Sequence, residues 1–216
     1  MRRKRDENEE DSIEERAQKK MLQLNQDGKL SDFKFTVWNE PFYVNKIVLS
    51  AISPYFAKKF EAEWKSEKSV DLRTEHSIEA FSCMIEYIYT YTSGQLTEWL
   101  QEFDPVPVVQ WYFEVYHMAE KYKLPGLKEQ VLERLPSAVK ALYCPGELHD
   151  VVDWEYISDS ELGKVFVAAV ADNVHIMQAF EDLDRVKLFL VMTPTFAADL
   201  ISELVKRRIL TCQCGS

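Results

Sequence analysis

The chain has 216 residues, of which 46% are hydrophobic and 29% are charged, and its formal net charge is −10. This length and composition are typical of a globular protein with one large domain, or with a small domain and an appended one. The negative charge opposes contact with phosphate backbones and argues against direct nucleic-acid binding. No segment approaches the roughly 18 apolar residues of a membrane helix, so we expect no membrane contact and a cytoplasmic or nuclear location.

The first residues are rich in charge, with a basic cluster from Arg2 to Arg5 followed by an acidic run. Such a segment buries too little apolar area to offset the entropy cost of ordering it. We therefore predict a charged, partly disordered tail over residues 1–20. The basic cluster is either part of a solvated tail or an address for nuclear import.

An amphipathic helix is predicted where this tail ends. Apolar residues recur at helical spacing, and Gly28 is placed to stop the helix. The apolar stripe of the helix consists of Ile13, Ala17, Met21 and Leu24. Its flanks are heavily charged.

A β-hairpin is predicted next. Apolar residues alternate with polar ones in the first strand, which is typical of a half-buried strand; they are Phe33, Phe35 and Val37. We expect the turn at Asn39-Glu40-Pro41 and the second strand from Phe42 to Val44. Ser53 followed by Pro54 is typical of a helix N-cap with proline in the first helical position.

The rest of the chain is mostly helical by its pattern. Val70-Asp71-Leu72 predicts a third short strand, and a well-covered helix is expected from Ile78 to Tyr89. Residues 92–105 are expected to be irregular. A helix resumes near Val106, and another runs from Pro125 to its predicted end at Pro136.

Two helix starts are predicted in the last third of the chain. The sequence Ser158-Asp159-Ser160-Glu161 is typical of a capping box. Thr193-Pro194 is expected to begin the final helix.

The usual parts of an enzyme site are missing from the sequence. It has no glycine-rich phosphate loop and no nucleophile elbow, and its four histidines have no partner at metal-ligand spacing. We therefore predict a protein that is not an enzyme and needs no cofactor. Cys212 and Cys214 are weak candidates for metal ligands, because two thiolates fill only half of a tetrahedral zinc site. The alternative is a tail with two free thiols.

Several motifs together resemble the BTB/POZ domain family. The order and spacing agree across residues 22–135. The motifs are Ser31-Asp32, Phe42-x-x-x-Lys46-x-Val48-Leu49-x-Ala51-x-Ser53-x-Tyr55-Phe56, Val70-Asp71-Leu72, AFSCMIEYIYT from Ala80 and VYHMAEKYKLPGLKE from Val115. The resemblance implies an α+β fold in which a small sheet is flanked by helical hairpins, often used as a platform for dimerisation and adaptor function.

The resemblance also implies how the chain is divided. The BTB/POZ domain is expected at residues 21–135 with its signature core at 31–92, an all-helical extension at 136–208 and a tail at 209–216. VKALYCPGELHD and PTFAADLISEL are similar to the helical extension of short BTB-only proteins of filamentous fungi. Some of these carry a Cys-x-x-Cys-Gly near their end, whereas the spacing here is Cys-x-Cys-Gly.

Two kinds of partner site follow from the resemblance. Asp32 and Lys46 match the charged pocket of the BTB dimer interface, although an ordinary contact within one chain is an equal alternative. The usual histidine before that lysine is Asn45 here. The stripe of the first helix, from Ile13 to Leu24, packs either against a second copy or against its own domain.

BTB adaptors of ubiquitin ligases place a hydrophobic residue two positions before a glutamate that docks on a cullin scaffold. The aligned region makes Phe60, Trp64 and Glu67 the cullin-docking candidates, with the glutamate one position late. The alternative makes Trp64 a partly exposed cap of the helix end.

The sequence thus predicts a non-catalytic interaction module, a BTB adaptor or scaffold that self-associates and recruits protein partners. One alternative is a substrate receptor of a cullin ubiquitin ligase. Another is a transcription-associated regulator that acts through a DNA-binding partner.

Overall fold

The computed structural model describes residues 12–26, 28, 30–73, 75–142, 145–173 and 183–207. A small mixed sheet lies against helices in the first half, and helices alone form the second half. The strands are β1 (Phe33–Val37), β2 (Glu40–Val44) and β3 (Ser69–Arg73), in the order β2-β1-β3. The sheet pairs β1 antiparallel with β2 and parallel with β3. The expected α+β fold and the third strand are confirmed.

The hairpin turn is tighter than its sequence suggested. Val37 pairs with Glu40, so only Trp38 and Asn39 form the turn, and the predicted turn at Asn39-Glu40-Pro41 is wrong. Both turn residues have positive φ, 48° and 69°, as in the two-residue turns that match strand twist. Pro41 belongs to β2, where an edge strand tolerates a residue without a backbone N–H.

The core begins on one face of β1. Phe33, Phe35 and Val37 are all buried, which confirms the predicted alternation. Helix α1 (Ile13–Gln26) precedes β1 in sequence, and helices α2 (Lys46–Ile52) and α3 (Pro54–Glu61) lie between β2 and β3. The cap at Ser53 is also confirmed, because its hydroxyl accepts a hydrogen bond from the Phe56 N–H at 3.2 Å.

Helix α4 (Ile78–Thr90) is buried on most sides, as its pattern predicted, and is followed by α5 (Gln95–Glu102). The expectation of irregular structure over residues 92–105 is therefore wrong. Helix α5 has no side-chain cap, but its apolar residues Leu96, Trp99 and Leu100 have helical spacing, which the turn-forming residues around it obscured. Tertiary packing holds it, since Tyr112 donates a hydrogen bond to the Leu96 carbonyl.

Helices α6 (Pro105–Lys121) and α7 (Pro125–Lys140) pack against each other. The predicted stop at Pro136 is wrong, because α7 continues through the proline. Pro136 is exposed, while Leu135, Ala138 and Val139 are fully buried. Burial of these apolar residues offsets the hydrogen bond that the proline removes. The predicted boundary between residues 135 and 136 thus lies inside a helix.

The helical extension consists of α8 (Pro145–Glu155), α9 (Glu161–Asp172), α10 (Leu183–Met192) and α11 (Pro194–Lys206). Helix α9 packs on α7 and α11. Phe166 of α9 links the two halves of the molecule, with ring centroids 5.3 Å from Phe113 and 5.7 Å from Phe196. Among the described residues, no helix has the length and apolar content needed to span a bilayer.

The predicted starts of the last helices are partly confirmed. Helix α11 begins at Pro194 as expected. The capping residue of α9 is Ser160 rather than Ser158, because the Ser160 hydroxyl accepts from the Gly163 N–H at 2.8 Å. Ser158 instead donates to the carboxylate of Asp199.

Replacing Gly163 with alanine should destabilise the fold by about 1–3 kcal/mol, because a Cβ there overlaps the Ile157 carbonyl oxygen and crowds the Ser160 hydroxyl. Helix propensity alone predicts the opposite sign, a gain of about 0.5–1 kcal/mol. Urea unfolding of Gly163→Ala shows whether the free energy of unfolding falls or rises, with Lys164→Ala on an exposed side of α9 as the matched control. A stabilised Gly163→Ala protein would contradict the described α9 start.

Candidate interaction surfaces

Helix α1 has one face on its own domain and another exposed. It packs on α4 and β2, and its Leu22 side chain packs against the core. In the predicted stripe, Ile13 is 79% exposed, Met21 is 47% exposed and Ala17 is exposed as well, whereas Leu24 is half-buried. The sequence pattern found the stripe but not Leu22, which lies beside it. Most of the stripe therefore remains available for a partner.

The structure places Asp32 and Lys46 together, but joins them through the backbone. A carboxylate oxygen of Asp32 accepts from the Lys46 N–H at 2.8 Å. The Lys46 ammonium donates to the carbonyls of Trp64, at 3.0 Å, and Glu67, at 2.7 Å. Asp32 thereby caps the start of α2, and Lys46 ties α2 to the segment after α3. These contacts agree with the alternative of an ordinary contact within one chain.

Asn45 belongs to the same network. Its side-chain amide donates to the Leu30 carbonyl at 2.6 Å, and its backbone N–H donates to the Tyr89 hydroxyl at 2.9 Å. The residue thus fixes the segment before β1 and the end of α4 to the start of α2. The side-chain amide of Asn45 is therefore used in a hydrogen bond within the chain.

The cullin-docking candidates lie in different environments. Phe60 and Trp64 are each only 8% exposed, and their ring centroids are 5.7 Å apart within the core. Trp64 also packs against Phe35, at 5.8 Å. The alternative of a partly exposed Trp64 is therefore wrong, since the side chain fills the space beneath the sheet. Glu67 is exposed, and its carbonyl accepts from Lys46.

A groove of about 540 Å³ lies between α1, β2, α4 and α5. Its apolar walls include Leu22, Phe42 and Ile85. The carboxylic acids in its lining are Glu40, Glu86 and Glu98, and no described lysine or arginine lines it. Burial, with a smaller contribution from Glu98, raises the pKa of Glu86 above its ordinary value. The hydrogen bond from the Gln95 N–H holds this carboxylate at the start of α5.

A polar cluster is enclosed between α4 and α6. His76 is 7% exposed and shares a hydrogen bond of 2.8 Å with the Tyr122 hydroxyl. The Glu114 carboxylate accepts from both the N–H and the hydroxyl of Ser77, each at 2.6 Å. Burial raises the pKa of Glu114, but the hydrogen bonds from His76 and Ser77 together outweigh it and hold the pKa below its ordinary value. The polar groups of this cluster are thus hydrogen-bonded to one another, which gives the cluster a structural role.

The weak metal candidates Cys212 and Cys214 lie outside the described residues. Within the part of the chain that the structure describes, no group of three or more histidine, cysteine or acidic residues is arranged to hold a metal ion. Cys83 is buried beside Ser93, and burial raises the pKa of its thiol to about 12, so it is unreactive at neutral pH.

A small sheet is thus enclosed by helices, and apolar side chains are exposed on several of these helices. The family model of the BTB/POZ domain matches residues 21–138, more than half of the chain. The chain therefore belongs to the BTB/POZ family.

The solved structures that are similar to this chain include two BTB domains. The BTB domain of zebrafish PATZ1 has 20% sequence identity and a TM-score of 0.42, covering 57% of this chain and 91% of that one. The BTB (Tramtrack and Bric a brac) domain of human Gigaxonin has 19% identity and a TM-score of 0.41, covering 55% and 87%. The resemblance to fungal BTB-only proteins stays a prediction.

Substitution of Asp32 by alanine should lower the free energy of unfolding by about 1 kcal/mol, because the first N–H of α2 loses its acceptor. Asp32→Asn should lower the free energy of unfolding by less, since its amide oxygen can still accept a hydrogen bond from the Lys46 N–H. Urea unfolding across a hundredfold range of protein concentration provides the measurement, with Glu61→Ala as an exposed control. A loss that appears only at high concentration would assign Asp32 to an interface between copies.

The carboxylate of Glu114 should stabilise the fold in a pH-dependent way. Its folded-state pKa lies below the ordinary value of 4.5, so its contribution is complete above 4.5 and is lost as the pH falls through the lower value. The stability difference between the natural protein and Glu114→Gln should be constant from about pH 7 to pH 5 and shrink in more acidic solution. Exposed Glu133→Gln is the control. A difference that grows on acidification would be inconsistent with the lowered pKa.

Proposed function

We propose that this protein is an adaptor that self-associates through α1 and recruits other proteins through its remaining surface. The observation that carries the proposal is the exposed apolar stripe of α1, where Ile13 and Met21 face solvent although Leu22 anchors the helix to its own domain. An apolar helix face that remains exposed favours a partner that covers it.

The charge pattern of α1 favours a second copy of the chain as that partner. Glu14 and Glu15 precede Ala17 by two or three residues, and Lys19 and Lys20 follow it at the same distances. When two such helices pair antiparallel about Ala17, the acids of one helix lie opposite the lysines of the other. Ile13 then meets Met21 of the second copy, and the small Ala17 lets the two helices approach closely.

Neither alternative function gains support from the described residues. Phe60 and Trp64 are core residues, so they offer no projecting side chain for a cullin pocket. A role in transcription rests on the Arg2–Arg5 cluster, which lies outside the described residues.

The full chain should be a dimer in light scattering coupled to gel filtration, at protein concentrations of tens of micromolar. Ile13→Glu combined with Met21→Glu should weaken association at least tenfold, about 1.4 kcal/mol, because each new carboxylate is desolvated in an apolar contact. Ile157→Glu adds one of these two charges at a residue that is 54% exposed elsewhere, and is the control.

A charge exchange tests the antiparallel arrangement itself. Lys19→Glu with Lys20→Glu should weaken the dimer, and addition of Glu14→Lys with Glu15→Lys should restore it. A natural protein that is monomeric at about 50 μM, or a dimer indifferent to all of these changes, would refute association through α1.

A further inference from the structure

The groove between α1, β2, α4 and α5 follows the free edge of the sheet. The strand order β2-β1-β3 makes β2 an edge strand. Four consecutive residues of β2, from Glu40 to Tyr43, line the groove. Successive side chains of a strand point to opposite faces of a sheet, so a groove lined by all four follows the strand edge rather than one face. Its volume of about 540 Å³ is in the range of ligand sites.

Tyr43 presents backbone hydrogen-bonding groups at this edge. The Lys34 N–H donates to the Lys68 carbonyl at 3.0 Å, on the side of β3. Lys34 pairs with Tyr43 in the antiparallel register, so these two residues form a pair without mutual hydrogen bonds. The N–H and C=O of Tyr43 therefore point away from β1, at the edge that the groove follows. An extended peptide can pair with such an edge as an additional strand.

The carboxylates of the groove lack a cationic partner within the described part of the chain. Glu40, Glu86 and Glu98 form no salt bridge with a described lysine or arginine. A Cβ at Gly94 would lie 3.3 Å from a Glu86 carboxylate oxygen and 3.7 Å from a Glu98 carboxylate oxygen, so these two groups converge on one point. A basic side chain placed between them would offset their mutual repulsion.

The apolar walls of the groove favour a peptide over a small cation. They include Leu22, Phe42 and Ile85. Lysine and arginine have aliphatic stems that pack on such walls while their charged ends reach carboxylates, and arginine also stacks on aromatic rings. A small inorganic cation gains nothing from these walls.

The net charge of the chain restricts the class of partner further. At −10 it repels nucleic acids, anionic lipids and a second copy of the chain. A basic protein segment is attracted instead, and the field of the whole chain would speed its association.

We propose that this groove binds an extended segment of a partner protein that is rich in basic and apolar residues. The segment pairs with the backbone of Tyr43 and places a basic side chain between Glu86 and Glu98. A second basic side chain lies near Glu40, and apolar side chains of the segment pack on the walls. The inference rests on the recruiting role proposed above, and not on self-association through α1.

A library of random peptides displayed on phage tests the chemistry of the ligand, with the full-length protein as bait. The peptides have about nine residues, which exceeds the 5 residues of β2. A groove variant, Glu40→Gln with Glu86→Gln and Glu98→Gln, is used for counter-selection. Peptides that bind the natural protein and not the groove variant should combine several basic residues with apolar ones. A selection that yields no such peptide would overturn the inference.

Fluorescence anisotropy of one selected peptide, labelled with fluorescein, measures the affinity. The groove variant should bind it about tenfold more weakly or worse, because the basic side chains lose their carboxylate partners. The control Glu61→Gln with Glu67→Gln and Glu133→Gln removes the same charge at exposed residues outside the groove, and should keep the affinity within about threefold. Equal losses in both variants would overturn the site. Circular dichroism melting shows that each variant is folded.

N-methylation of the selected peptide tests its pairing with β2. A strand donates to one neighbour from alternate residues, so methyl groups on one alternate set of peptide nitrogens should abolish binding. Methyl groups on the other set should leave the affinity unchanged. Equal effects of the two sets would contradict strand pairing at Tyr43.

The α1 variant Ile13→Glu with Met21→Glu separates this inference from self-association. Neither residue lines the groove, so the variant should bind the peptide at least as tightly as the natural protein, whatever its oligomeric state. Loss of peptide binding in this variant would overturn the placement of the site in the groove of a single chain.

The basic cluster of the chain itself is the competing occupant. The variant Arg2→Gln, Arg3→Gln, Lys4→Gln, Arg5→Gln should bind the selected peptide with the affinity of the natural protein. If only this neutralised variant binds the peptide, the groove belongs to the cluster of the chain itself, and the inference of a partner segment is overturned.

Discussion

The packing of Tyr122 at the end of α6 holds the two main parts of the BTB fold together. Its ring stacks on Phe56 with centroids 5.0 Å apart and planes within 11°. Its hydroxyl shares a hydrogen bond with buried His76, and its carbonyl accepts from the hydroxyl of Ser53. One residue thereby joins the cap of α3, the segment before α4 and the helical hairpin of α6 and α7. Because each polar atom is satisfied, burial of the tyrosine adds stability without an unpaired group.

The aromatic core built around Tyr122 decides which surfaces are left for partners. Phe33, Phe35 and Trp64 pack beneath the sheet together with Phe56 and Phe60. The segment after α3 consequently packs against the core, and the Lys46 ammonium donates hydrogen bonds to two backbone carbonyls of this segment. Exposed apolar surface remains on α1 and on the last two helices, at opposite ends of the sequence.

Features with a strong local cause were predictable from the sequence. The alternation at Phe33 to Val37 and the Ser53-Pro54 cap each depend on neighbouring residues, and both are confirmed. The passage of α7 through Pro136 depends instead on tertiary burial, which outweighs a helix breaker. Helix α5 was missed because turn-forming residues surround the helical spacing of its apolar side chains. The turn was misplaced because Pro41 is a strong turn signal, yet an edge strand accepts it.

The surfaces were predictable only in part. Helical spacing identified the α1 stripe, but which face of that helix meets its own domain depends on Leu22, and no periodic signal separates it from Met21. A lone tryptophan after a helix is equally compatible with core and surface, so the burial of Trp64 required the folded sheet.

The overall charge restricts how this chain can meet a copy of itself. Each copy carries a formal charge of −10, so two copies repel one another unless the contact is arranged to avoid that repulsion. Two arrangements achieve this: opposite charges placed symmetrically about a contact, or a contact without charge. The sequence of α1 has the first, with acids before Ala17 and lysines after it. Because acidic groups elsewhere on the surface still repel, only contacts of these two kinds are expected to form between copies. The acidic groove between α1 and α5 is suited to neither kind of contact.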